Sequence, residues 1–160
     1  MKRFAKLFTT IDQSTKTNTK VAALAEYFEH APDHDRVWTI ALFSGRRPKR
    51  AVTTTKLREW AAEQASVPLW LFEDSYSIVG DLAETIALVL PVTMTHDDQP
   101  LSAWITALRE IYTQPEDARK EFVLKAWATL GGTERFIFNK LITGGFRVGV
   151  SQKLMTRALA

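Results

Sequence analysis

The chain has 160 residues, 46% of them apolar and 24% charged, with five Trp and nine Phe, which is enough for one soluble domain with a sizeable core. The complete lack of Cys excludes disulfides, thiolate zinc sites and thiol catalysis, and it fits a reducing cytoplasm. The net charge is +3, but residues 1–58 hold twelve Lys/Arg against five Asp/Glu, residues 73–121 three against ten, and residues 135–160 five against none; if the two ends meet, they form either one basic face for a polyanion or ordinary solvated surface.

From the N-terminus, the basic start Met1-Lys2-Arg3 leads into no apolar signal core. Val21, Leu24, Ala25 and Phe28 then recur at helical spacing and predict an amphipathic helix. His30 and His34 are four apart, like metal ligands on a helix, but Pro32 between them breaks a continuous helix, and no third ligand is evident. Val37 to Phe43 has the length of a buried strand or a short helix. Helix is the choice, holding Val37, Ile40 and Ala41 and closed by Gly45, because no partner strand or hairpin signal exists. A basic loop follows, carrying Arg46, Arg47, Lys49 and Arg50 around Pro48.

Leu57, Trp60 and Ala61 mark another helix. Asp81 and Glu84 have capping-box spacing after Gly80 and start an apolar run. The longest apolar run, Ile86 to Val92 with Pro91 inside it, is far too short to span a bilayer, so no membrane role is expected. The polar stretch from Val92 to Pro100 reads as a hinge between two helical halves. Beyond it, Leu101, Trp104, Ile105, Leu108, Ile111 and Tyr112 keep the helical period over three turns. Gln114-Pro115-Glu116-Asp117 reads as a helix start, and Phe122, Val123, Ala126, Trp127 and Leu130 form the next stripe. The expectation is a single all-α domain over residues 1–160, a bundle of roughly eight to ten helices in two packed halves.

The last segment, Gly132 to Lys153, reads as helix, glycine turn, short connector and new helix, with Thr133 and Ser151 as N-caps. Gly144, Gly145 and Gly149 permit close backbone approach, Arg147 lies between them, and the amides after Ser151 form an anion site by geometry and dipole. The segment is either a phosphate clamp or a plain helix-turn-helix corner. No phosphate-binding Gly-rich motif, facing acid pair or credible Ser-His-Asp group accompanies it, so no catalytic site is expected.

This C-terminal segment closely resembles the end of the DNA-binding domain of ATP-dependent DNA ligases. The match lies in Arg135-Phe136-Ile137, in Gly144-Gly145-Phe146-Arg147-Val148-Gly149-Val150, and in the run to Ala160. Thr15-Lys16-Thr17-Asn18-Thr19-Lys20 resembles the start of the family's first DNA-contacting helix, and Val79-Gly80-Asp81-Leu82 resembles its Gly-Asp-Leu segment. Order and spacing agree over essentially the whole chain, and the basic loop at residues 44–50 is similar to that of bacterial members. The resemblance implies a non-catalytic domain that grips nicked duplex DNA, without sequence preference, through phosphates and the minor groove. It also implies a cytoplasmic (nucleoid) setting in DNA repair, replication or recombination. The implied DNA-binding residues are Thr15, Lys16, Thr17, Asn18 and Lys20; Arg46, Arg47, Lys49 and Arg50; and Gly145, Arg147, Gly149, Ser151 and Lys153. The family's Lys-x-Asp-Gly adenylation motif is missing, since the chain contains no Asp-Gly dipeptide. ATP and a divalent metal such as Mg are therefore expected to belong to catalytic domains of a parent ligase beyond Ala160. The rival expectation is a helical protein-interaction module whose acidic middle binds a partner.

Overall fold

A computed structural model describes residues 1–46, 48–91, 99–144, 146 and 151–159. Among these residues the fold is all-helical, with ten helices and no strand. They are α1 (Lys2–Asp12), α2 (Thr17–His30), α3 (Asp33–Phe43), α4 (Thr54–Gln64), α5 (Leu69–Val79), α6 (Leu82–Val89), α7 (Leu101–Ile111), α8 (Glu116–Thr129), α9 (Gly132–Thr143) and α10 (Gln152–Leu159).

The chain divides into two compact units, but they are not successive halves. Unit 1 takes Met1–Arg47, Asp98–Trp104 and Gly145–Ala160, and unit 2 takes Pro48–Asp97 and Ile105–Gly144. Two units are present as expected, but each is assembled from separate stretches of the chain, because apolar faces select their partners by complementarity rather than by order along the chain. Residues 92–98 themselves lie outside the described residues. Helix α7 contributes its first turn to unit 1 and the remainder to unit 2.

Unit 1 is built on aromatic packing. Phe4 of α1 stacks on Phe43 at 5.7 Å and meets Tyr27 and Phe146 edge-on at 6.2 and 5.8 Å. Helix α2 packs against both α1 and α10, so the two ends of the chain belong to one unit. Asp35, buried on α3, accepts hydrogen bonds from the Ser102 and Leu101 amides at 2.9 and 3.3 Å and thus caps α7 from 66 residues away. Helix α3 forms as expected, and Gly45 at φ +89° takes the left-handed turn that ends it. Its buried face carries Asp35, Thr39, Leu42 and Phe43. Val37 is 65% exposed, while Thr39, Leu42 and Phe43 are buried, because the neighbours of α3 engage the face that carries Asp35 and Thr39.

The Thr39 hydroxyl lies 2.8 Å from both the Tyr27 hydroxyl and the Asp35 carbonyl. Burial pushes the Tyr27 phenol up to about 12, partly offset by its hydrogen bond with Thr39. A raised phenol pKa means that the folded state holds its proton more tightly than the unfolded state. Stability from this group is therefore fully present below pH 10, the ordinary value, and is lost as pH rises through about 12. The loss should be on the order of 2–3 kcal/mol. Urea titrations of wild type and Tyr27→Phe between these pH values are expected to show the phenylalanine variant losing less stability. Parallel losses would refute the assignment to Tyr27.

In unit 2, α9 is the central helix. It packs against α6 and α8, and α4, α5 and α6 pack on one another. Ile137, Phe138, Leu141 and Ile142 are fully buried. The buried Asn139 amide is satisfied on both sides: its oxygen accepts from the Trp127 indole at 2.7 Å, and its nitrogen donates to the Ala83 carbonyl at 3.1 Å. The expected cap at Asp81 is present and accepts from the Glu84 amide at 2.9 Å. The same carboxylate also binds the ammonium of the mostly buried Lys140. The cap expected at Thr133 is corrected: α9 starts two residues earlier, with Gly131 at the N-cap in extended conformation and no side-chain cap. Arg135 on α9 is 4% exposed, and its guanidinium donates to the Trp127 carbonyl at 3.1 and 2.6 Å and to the Pro91 carbonyl at 3.0 Å.

Candidate nucleic-acid interface

Helix α2 opens without an acidic residue in its first turn and without a side-chain cap. Its N-cap is Lys16, in extended conformation, whose own amide donates to the Ser14 hydroxyl at 3.2 Å. Thr15, Lys16, Thr17 and Asn18 are exposed and Lys20 is half-buried. The positive end of a helix dipole is thus flanked by lysines and small hydroxyl residues rather than neutralised by a carboxylate. Helix α3 of the same unit shows the contrasting arrangement, with Asp33 and Asp35 in its first turn.

Helix α10, packed against α2, repeats the α2 pattern. It has no acid in its first turn, and the Ser151 hydroxyl accepts from the Leu154 amide at 3.1 Å, the cap expected from the sequence. Lys153 is exposed on it. Unit 1 therefore contains two of the three candidate patches, the start of α2 and the start of α10, which are more than 130 residues apart in sequence and sit on helices that pack on each other. Unit 1 holds eleven Lys/Arg against six Asp/Glu, a net +5, whereas unit 2 holds ten against twelve, a net −2. The modest overall charge thus conceals one basic unit.

The basic loop at residues 46–50 is divided between the units. Arg46 falls in unit 1 and is exposed; its amide donates to the Ala41 carbonyl at 2.9 Å and helps to end α3. Lys49 and Arg50 fall in unit 2. The Lys49 ammonium sits 5.5 Å from the centre of the Tyr112 ring, and the Arg50 guanidinium donates to the Thr143 carbonyl at 3.4 Å, near the end of α9. Both remain exposed, but each has a structural contact that the sequence did not suggest. Arg47, Gly145, Arg147 and Gly149 lie outside the described residues.

No Lys-x-Asp-Gly motif exists, and among the described residues no group of three or more His or acidic side chains could hold a metal ion. Pro32 caps α3 after α2 ends at His30, so His30 and His34 lie on different helices. Among the described residues no helix is long and apolar enough to cross a membrane.

Among the described residues the chain is thus an all-helical domain with one net-positive unit that contains residues from both ends of the sequence. The family described as DNA ligase N terminus matches residues 1–160, and the chain belongs to it: it is the N-terminal domain of an ATP-dependent DNA ligase. Comparison with curated proteins gives no match.

Proposed function

We propose that this domain grips nicked duplex DNA for a parent ligase, holding phosphates and the minor groove while catalytic domains of the same polypeptide seal the nick. The observation that carries this reading is the pairing, within one net-positive unit, of two helix starts that lack first-turn acids and carry Lys16, Lys20 and Lys153. Exposed lysines, hydroxyls and helix amides hold phosphates irrespective of base sequence, which suits an enzyme that must act at any nick. Thr15, Thr17, Asn18 and Ser151 are assigned to phosphate-backbone contacts alongside Lys16, Lys20 and Lys153. Arg147, between Gly145 and Gly149, is assigned to the groove on its sequence pattern. Arg46, Arg47, Lys49 and Arg50 form a secondary patch.

In this reading the chain performs no chemistry. ATP and Mg serve the parent enzyme elsewhere, in bacterial nucleoid repair, replication or recombination. A gel shift with nicked and intact duplexes tests the grip, and incubation with labelled ATP and magnesium followed by a denaturing gel tests the chemistry. The expected result is a shift with both duplexes of unrelated sequence and no labelled protein band. Failure to shift DNA would sink the grip, and a covalent AMP band would sink the non-catalytic assignment.

A further inference from the structure

No Lys or Arg occurs between Arg58 and Arg109, a stretch that contains eight Asp/Glu. Within it, α5 is poorly covered. Phe72 is its one fully buried side chain, while Trp70 is 65% and Ile78 85% exposed. Trp70, Asp74 and Ile78 stand at i, i+4 and i+8 and so share one face over about 12 Å. Asp74 is exposed between the two apolar side chains. On α6, which packs against α5, Glu84 and Leu88 repeat the pairing of acid and exposed apolar residue one turn apart. Glu73 is different: its carboxylate accepts two hydrogen bonds from Arg58, at 3.2 and 3.1 Å.

Large apolar side chains left in water along one helix face, flanking a carboxylate, signal a binding surface. Its carboxylates repel a polyanion, so DNA is the wrong occupant, and a purely apolar partner would leave Asp74 and Glu84 desolvated and unpaired. We propose that this face of α5 and α6 docks a helical segment of a partner protein, one with an apolar stripe flanked by Lys or Arg. Apolar residues seven apart on such a helix are about 10 Å apart, close to the spacing of Trp70 and Ile78. The surface shares no residue with the proposed DNA contacts.

The whole chain can be titrated with two synthetic helical peptides of identical apolar pattern, one bearing Lys and the other Glu at the polar positions, while amide chemical shifts are recorded. The Lys peptide should bind at least about tenfold more tightly than the Glu peptide. Its shifts should concentrate on α5 and α6, and Trp70→Ser and Asp74→Lys should each weaken it about tenfold. Both side chains are exposed, so the variants should remain folded, which circular dichroism checks. Equal binding of the two peptides, shifts centred on other helices, or unchanged affinity in the variants would overturn the proposal. So would a peptide-free dimer that Trp70→Ser abolishes, since a second copy would then be the occupant.

Discussion

Affinity for duplex DNA is expected to fall roughly 500-fold between 50 and 200 mM salt, with log K declining against log salt at a slope of about −4 to −5. The slope follows from unit 1, whose net +5 matches the neutralisation of about five phosphates, each releasing about 0.9 of a counterion. Lys16→Ala or Lys20→Ala should weaken binding to all sequences alike and make the slope shallower by about one. Arg147→Ala should cost more, about tenfold in Kd beyond either lysine, because a groove contact is less replaceable by neighbouring charge than one cation in a cluster. Gly149→Val should also weaken binding without removing charge. The measurement is fluorescence anisotropy with two unrelated nicked duplexes across a salt series. Binding indifferent to salt, or unchanged in folded Lys20→Ala and Arg147→Ala proteins, would refute the assigned surface and favour the protein-interaction alternative.

Arg135→Ala should act on stability instead. Arg135 is buried, and its guanidinium serves the Trp127 carbonyl in the last turn of α8 and the Pro91 carbonyl. Its charge also opposes the negative end of the α8 dipole. Burial lowers its pKa, but an arginine remains charged throughout the working range. Truncation leaves a cavity and two poorly satisfied carbonyls, at a cost of about 3–4 kcal/mol. For a domain of this size, that corresponds to a fall in Tm of roughly 6–15 °C. Arg135→Lys keeps the charge but not the fork, and should cost about half as much. Thermal and urea unfolding measure both. An Arg135→Ala protein of undiminished stability whose DNA-binding slope is shallower by one would show instead that this arginine faces phosphate.

Arg135 also marks a boundary between sequence and structure. As one basic residue in a segment with no acids, it looked like part of a cationic end, yet its partners are carbonyls 8 and 44 residues away. No local spacing announces such partners. Helix α5 escaped notice for another reason: it is apolar on nearly every side, so no stripe stands out, and only packing shows which of its faces is covered. Helix α1 was not read from the sequence either, although Phe4, Leu7, Phe8 and Ile11 have the helical period and are all buried.

The sequence by itself determined the features that depend on residues within a turn or two of each other. Of the stripe predicted from Leu101 to Tyr112, Leu101, Trp104, Ile105 and Leu108 are buried whereas Ile111 is half-buried and Tyr112 exposed, and Asp81 and Ser151 predicted caps and bond to amides three residues ahead. These depend on the 3.6-residue period and on hydrogen bonds closed within one turn, both of which are local. Tertiary structure alone decided that Val37 faces water, that Asp35 caps a helix 66 residues away, and that both chain ends join in one basic unit. Each of these is a choice of partner made among many apolar faces of similar chemistry. Such a choice is settled by how the helices fill space together, which no single segment specifies.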